Sequence, residues 1–296
     1  MPEYSERFFR SGTLRIHFRE WGDPGAPPLI IVQGLRDHSH SFDDLARGLL
    51  DRFRVYALDL RGHGDSETTP YYSFGHFVLD LHNLVRALRI ERPVIIGHSM
   101  GGEVAAQYCG GFPAVPARLV VIEGLGPPPV DMSEERQWTV DGFARIDRAL
   151  AGHPGLKDLD AAYRRLRERN PRLTESKARE LALLGTRARE DGTLEWKFDA
   201  MLTTMAITGP FTLEYAMTFW RQIAAPTLIV HGAESGEFWR SKPGAIYLEP
   251  DDLARRLACF RDHRFVELPG AGHMVHFDRP RELVTAIRDF LSTDRE

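Results

Sequence analysis

The stretch Val94-Ile95-Ile96-Gly97-His98-Ser99-Met100-Gly101-Gly102 carries the strongest signal in the chain. A short β-branched run leads into Gly-x-Ser-x-Gly, and a helical pattern at 100–111 follows it. That order, strand then sharp turn then helix, is the context in which such a motif presents a serine as a nucleophile. The glycines are there for steric reasons, because the turn is so tight that a Cβ at 97 or 101 would collide with neighbouring chain. The strain lifts the hydroxyl out at the carboxyl edge of the sheet. There the amino end of the helix favours developing negative charge.

Around this turn, short apolar runs alternate with helical patterns, which is how a mostly parallel α/β sheet reads. Residues 5–10 and 14–20 alternate and suit an antiparallel opening pair. Buried-strand candidates follow at 28–33, 54–59, 93–97, 118–122, 227–231 and 264–268, making eight strands with the opening pair. Helices are expected at about 41–51, 76–89, 100–111, 251–260 and 280–292. The alternation breaks after the Gly/Pro-rich stretch Gly124–Pro129, and no strand signal is read from about 130 to 220. Acidic and basic residues there balance at fourteen each between 131 and 200, as expected for the solvated faces of amphipathic helices. The strand signal then returns at Ala225-Pro226-Thr227-Leu228-Ile229-Val230. The expected organisation is therefore one core in two parts, 1–127 and 222–296, interrupted by a helical insertion at 128–221.

A serine needs a base of near-neutral pKa, and histidine offers one without heavy tuning. Pro269-Gly270-Ala271-Gly272-His273-Met274-Val275-His276 lies between the last strand and the last helix. Its glycine-flanked His273 is the candidate base, and His276 is assigned a packing or rim role. Leu29-Ile30-Ile31-Val32-Gln33-Gly34-Leu35-Arg36 runs from a strand into a glycine loop. The backbone N–H groups of Leu35 and Met100 are the candidate oxyanion donors there.

With these blocks in view, the chain resembles the α/β-hydrolase superfamily. Gln33-Gly34, Asp59-Leu60-Arg61-Gly62-His63-Gly64-Asp65-Ser66, the Ser99 turn and Gly272-His273 all match it. Within it, the chain is most similar to the capped bacterial hydrolases grouped with serine-hydrolase-like proteins, through Val121-Ile122-Glu123-Gly124-Leu125-Gly126-Pro127 and Trp196-Lys197-Phe198-Asp199. The resemblance implies an α/β-hydrolase fold, a mostly parallel eight-stranded sheet flanked by helices, with an inserted helical cap. It also implies that His63 and Asp65 belong to a structural turn. Family members often have His where Gln33 stands; because the donor is a backbone group, this departure should tune the oxyanion site, and Gln33 is counted among the substrate-binding candidates.

The acid departs from the family pattern. Family members usually carry Asp after the strand at 227–231, but here the block is His231-Gly232-Ala233-Glu234-Ser235. Serine cannot stabilise an imidazolium as a carboxylate does. Glu123, directly after the strand at 118–122, is the preferred replacement, because some superfamily members supply their acid from that position. Glu234 is one residue early, and Glu237 is a more distant alternative.

The composition adds exclusions. The 296 residues are 43% hydrophobic and 27% charged, which is ordinary for a globular chain. A net charge of -4 gives no sign of a nucleic-acid surface. The apolar runs are far shorter than the ~18 residues of a membrane span. Residues 1–10 show no apolar signal core. Cys109 and Cys259 are too few for a disulfide framework, read as buried apolar fillers, and fit a cytoplasmic location. Asp37-His38-Ser39-His40 is expected to be a surface loop, and His76–Asp80 a helix face. No metal or cofactor is implied.

The expected activity is hydrolysis of a small, largely apolar carboxylic ester through Ser99, His273 and Glu123. A serine at 99 argues against relatives that need Asp there to form an alkyl-enzyme ester. Trp196 and Phe198 are the named substrate-binding candidates of the insertion, with Trp138, Met201, Met205, Phe211 and Trp220 also considered. Lactone hydrolysis, carbon–carbon bond hydrolysis, perhydrolysis and a non-catalytic small-molecule sensor stand as alternatives. The expected partner is the small-molecule ester alone, with no nucleic acid and no membrane; a homodimer is left open.

Overall fold

Strands with apolar residues on both faces suit the centre of a parallel sheet covered by helices on either side. A computed structural model describes residues 4–126, 135–152, 155–206, 211–240 and 249–292. Its strands are β1 (Ser5–Ser11), β2 (Leu14–Trp21), β3 (Pro28–Val32), β4 (Arg54–Leu58), β5 (Val94–His98), β6 (Arg118–Ile122), β7 (Thr186–Ala188), β8 (Leu194–Trp196), β9 (Thr227–Gly232) and β10 (His263–Leu268). Eight of them form one sheet in the order β1-β2-β4-β3-β5-β6-β9-β10. β1 and β2 pair antiparallel to each other, as do β2 and β4; every later pairing is parallel.

Successive residues of each central strand feed opposite layers, as the pleat requires. Ile30, Val32, Ile95 and Val121 pack on one side with Leu81 and Leu84 of α2 (Phe74–Ala87) and Val104 of α3 (Met100–Gly111). Leu29, Ile31, Ile96 and Val120 pack on the other with Leu45 of α1 (Asp43–Arg47) and Leu283 and Ile287 of α11 (Pro280–Ser292). Each such side chain contributes about 1.5–3 kcal/mol when fully buried. Two dry layers thus clamp the sheet and hold its carboxyl edge rigid.

Between β6 and β9 the chain leaves the sheet for α4 (Glu135–Leu150), α5 (Leu159–Arg169), α6 (Glu175–Leu184), the β7–β8 hairpin and α7 (Leu213–Trp220). Three short helices complete the second part: α8 (Gly236–Arg240), α9 (Pro250–Leu257) and α10 (Val275–Asp278). The expected boundary at 127/128 lies outside the described residues, as does the Trp138 side chain.

Three sequence expectations are corrected. The insertion is not wholly helical: β7 and β8 pair across a turn at Gly192, whose φ is 81°, and Asp191 accepts the Thr193 backbone N–H at 2.9 Å. Three-residue strands are too short to show a two-residue period among charged neighbours. The Asp37–His40 segment is not a surface loop either. Ser39 and His40 are buried, Ser39 N–H donates to Asp59 at 2.6 Å, and the Arg19–Asp43 ion pair seals the segment from below. The helix expected at 41–51 is correspondingly cut to a 3₁₀ turn and α1. Among the described residues no helix is long and apolar enough to cross a membrane.

Candidate active site

The carboxyl ends of β3, β5, β6, β9 and β10 open on one edge, where parallel α/β sheets place their ligand sites. Ser99 follows β5 with φ 52° and ψ −122°, a conformation rare for a residue with a Cβ. The turn has no room to relax. A Cβ on Gly97 would lie 2.2 Å from the Gly101 carbonyl oxygen, and one on Gly101 would lie 2.2 Å from that of Val32. The Ser99 N–H donates to the Ile122 carbonyl at 2.8 Å, which ties the turn to the end of β6.

His273 reaches the same place from the loop after β10. Its Nε2 stands 3.0 Å from Ser99 Oγ, and its Nδ1 stands 3.0 Å from Glu123 Oε2. A carboxylate only accepts, so Nδ1 carries the proton and Nε2 presents its lone pair to the serine hydroxyl. Phe238 of α8 stacks on the imidazole at 4.2 Å between centroids, and Trp239 meets it edge-on at 5.5 Å. Behind the ring, His98 Nε2–H donates to the His273 carbonyl at 2.9 Å. Burial first, then the neighbouring His273, pushes the His98 pKa down to about 3, so His98 is a neutral strut.

Glu123 follows β6 with φ 54° and is almost wholly buried. Burial pushes its pKa up, but hydrogen bonds from His231 and His273 outweigh that and hold it down at about 2. Oε1 accepts from Gly232 N–H and His231 Nδ1, each at 2.7 Å. Oε2 accepts from His273 and from the hydroxyl of Ser235. These four donors match the acceptor capacity of one carboxylate. Glu234 is engaged elsewhere, with Oε1 accepting from Gly270 N–H at 3.1 Å, and Glu237 pairs with Arg172 at 2.9 Å. Of the three candidate acids, the structure brings Glu123 to the imidazole.

Met100 opens α3, and Leu35 sits on the loop after β3, exposed. This loop presses on the Ser99 turn: a Cβ on Gly34 would stand 3.2 Å from Ser99 Cβ. Gln33 is corrected as a substrate contact. It has no exposed surface, and its amide is positioned to bond the Leu58 carbonyl and Leu60 N–H, so it braces the loop against β4. Trp196 and Phe198 separate as well. Trp196 packs against the insertion's own Leu156–Ala162–Ala182 cluster, whereas Phe198 packs on the main core and lies under the Arg36 guanidinium at 5.7 Å.

His231, Ser235, Phe238 and Trp239 were not singled out as site residues from the sequence. His231 and Ser235 flank the end of β9 in a block already aligned with the family's acid, which is the signal that could have found them. Asp37, His98 and His276 also converge, with ligand atoms within 4.8 Å of one another; this is a donor set a divalent cation could use. His276 Nε2 is 3.9 Å from Asp37 Oδ2, and its ring stacks on Phe42 at 4.5 Å.

The sequence matches the alpha/beta hydrolase family over residues 29–286. A serine hydrolase-like protein of Danio rerio is 28% identical over 282 residues, covering 92% of this chain and 83% of that one. An sn-1-specific diacylglycerol lipase of Mus musculus, ABHD11, is 27% identical over 276 residues, with the same coverage of 92% and 83%. The thioesterase domain from the curacin biosynthetic pathway superposes with a TM-score of 0.82 at 24% identity, covering 98% of this chain and 100% of that one. A match that begins in β3 and ends in α11 takes in the serine turn, Glu123 and the His273 loop alike, so the chain belongs to the α/β-hydrolase family.

Proposed function

We propose that this hydrolase cleaves carboxylic esters through an acyl-enzyme intermediate, with Ser99 as nucleophile, His273 as general base and acid, and Glu123 as the acid that orients it. One observation carries the reading: an unbroken line of hydrogen bonds runs from Ser99 Oγ through both nitrogens of His273 to Glu123. His273 takes the hydroxyl proton as Ser99 attacks the carbonyl carbon. Glu123 stabilises the imidazolium that forms, and the backbone N–H groups of Leu35 and Met100 hold the oxyanion. His273 then gives the proton to the leaving alcohol, and a water repeats the sequence to free the acid. The insertion acts as a cap over Ser99, with Phe198 in its wall. The diacylglycerol lipase relative supports an ester as the substrate, and two unbridged cysteines fit a cytoplasmic setting.

A fluorophosphonate probe and a panel of 4-nitrophenyl esters of increasing chain length test this. One labelled serine, Ser99, with multiple turnovers and loss of both in S99A, supports the assignment. Labelling elsewhere, or turnover retained in S99A, overturns it; labelling of Ser99 with a single turnover points to a sensor.

A further inference from the structure

Behind the Ser99–His273 pair lies a second group of side chains that the mechanism does not use. Asp37 comes from the loop after β3, His98 ends β5, and His276 lies in α10. His98 and His276 are 2% and 3% exposed, and the Asp37 side chain is 12% exposed. One candidate ligand atom from each lies within 4.8 Å of the others. The two imidazoles meet edge to face at 4.5 Å. His276 Nε2 stands 3.9 Å from Asp37 Oδ2, too far for a hydrogen bond. Among the described residues, Asp37 Oδ2, His98 Nδ1 and both ring nitrogens of His276 have no hydrogen-bond partner. Buried polar atoms are nearly always paired, so four of them on three converging side chains call for a ligand.

The remaining atoms of the group are held as a bound cation requires. His98 Nε2–H donates to the His273 carbonyl at 2.9 Å, which leaves the lone pair on Nδ1. Asp37 Oδ1 accepts from His38 N–H at 2.9 Å and from the Ser41 hydroxyl, which leaves Oδ2 as the free oxygen. Metal-bound imidazoles and carboxylates are oriented in this way, by a backbone carbonyl on the far ring nitrogen and by donors on the carboxylate. Burial pushes the His276 pKa well below its ordinary value, so this neutral ring also offers a lone pair. Phe42, stacked on it at 4.5 Å, sets the plane of the ring. The same burial pushes Asp37 up to about 7, because no described group of the cluster supplies the positive charge that a buried carboxylate needs.

We infer that Asp37, His98 and His276 form a binding site for one divalent cation of the zinc class. Two imidazoles and a carboxylate are a zinc donor set, with a fourth position left for water. Donors around tetrahedral zinc stand about 3.4 Å apart. The 3.9 Å Asp37–His276 pair is close to that spacing, and the His276 ring, tied by no hydrogen bond among the described residues, is free to turn the rest of the way. The ion supplies the missing charge and fastens the Leu35 loop, the residue before Ser99 and the helix after His273 to one point. It touches no reacting atom, and the inference stands whichever ester is cleaved.

The test titrates untagged protein, stripped with a chelator, with Zn²⁺ against a chromophoric competitor and with Co²⁺, whose visible bands report four-coordination. Wild type should bind one equivalent of either ion per chain, and Zn²⁺ should raise its unfolding midpoint. D37N and H276Q should each weaken binding at least about 100-fold and lose the rise in midpoint. H273Q removes the imidazole beside Ser99 but keeps the backbone carbonyl that His98 meets, so it should bind as wild type does. D37N keeps the shape of its side chain and decides the test should H276Q fold poorly. If neither variant folds, X-ray absorption of zinc-loaded H273Q decides: two imidazoles on the ion are expected, and one or none overturns the site. No ion bound by wild type, tight binding kept in either D37N or H276Q, or binding lost in H273Q overturns it as well.

Discussion

Ser235 donates its hydroxyl hydrogen to the same Glu123 oxygen that meets the His273 ring at 3.0 Å. The end of β9 thus supplies a donor where most of the family would place the acid, and the end of β6 supplies the carboxylate. An aspartate at 235 would set a second anion against Glu123, and two carboxylates sharing a site cannot both ionise freely. Ser235→Asp should therefore reduce turnover. In Glu123→Gln the same change should help, because the repulsion is gone and a carboxylate returns near the imidazole. We expect Glu123→Gln/Ser235→Asp to recover at least ~10-fold of the turnover lost in Glu123→Gln, where the single charge removal costs ~10⁴. Steady-state kinetics of the four proteins decide it. A double variant no better than Glu123→Gln would mean that β9 cannot deliver a carboxylate to His273.

Three glutamates compete for the orienting role in the sequence, and the partners of Glu123 and Glu234 separate the two nearest to it. Glu123→Gln keeps the shape of the side chain but removes the charge facing the imidazolium, so kcat should fall by ~10⁴, as for the comparable change in a serine protease triad. Glu234 bonds a backbone N–H of the His273 loop and not the ring. Glu234→Gln should cost within about tenfold, the worth of one pKa unit. A crippled Glu234→Gln beside a nearly silent Glu123→Gln would reverse the assignment.

The core was legible because its signals are local. Both faces of β3, β5 and β6 are buried, so their apolar runs are continuous, and the helices expected at 100–111 and 280–292 match α3 and α11 to the residue. Ser99 and His273 are marked by glycines that the backbone itself requires. Other parts depend on contacts far apart in the chain. Nothing near Gln33 shows that its amide meets Leu58 and Leu60, and nothing near Asp37 shows that Asp59 and Arg19 draw its segment inside. Phe238 lies 35 residues from the imidazole it stacks on, in a segment without a strong period. Of the partners of Glu123, His273 was legible from its own motif, whereas His231, Gly232 and Ser235 were legible only as a missing aspartate.

Charge on Glu123 also links stability to pH. Its folded pKa of about 2 lies below the ordinary 4.5, so the folded state binds fewer protons than the unfolded state between those values. Its contribution to stability is full above about pH 5 and is lost as pH falls from 4.5 towards 2. The difference in unfolding midpoint between wild type and Glu123→Gln should therefore be flat from pH 5 to 8 and close progressively below 4.5. Chemical denaturation in a pH series measures it. A gap that stays constant down to pH 3 would show that the charge is not what the buried donors hold.

Trp196 and Phe198 stack on each other with centroids 6.1 Å apart, yet they serve different bodies. Trp196 belongs to the small cluster of Leu156, Ala162 and Ala182, which holds α5, α6 and the hairpin together. Its loss removes a large part of a core with few other members. Because it is only half-buried, Trp196→Ala should cost about 2 kcal/mol, below the 3–5 typical of a fully buried aromatic. That loss should appear as a lower unfolding midpoint and faster proteolysis within the insertion. Phe198 reaches past this cluster to the main core and to Arg36 on the loop after β3. Phe198→Ala should alter the ranking of acyl chain lengths more than the rate on a small activated acetate, because the acetate does not extend to the ring. The comparison needs both variants on one ester series with midpoints measured in parallel. Equal loss of Phe198→Ala on every ester, accompanied by a fall in midpoint like that of Trp196→Ala, would make Phe198 a structural residue and remove it from the pocket wall.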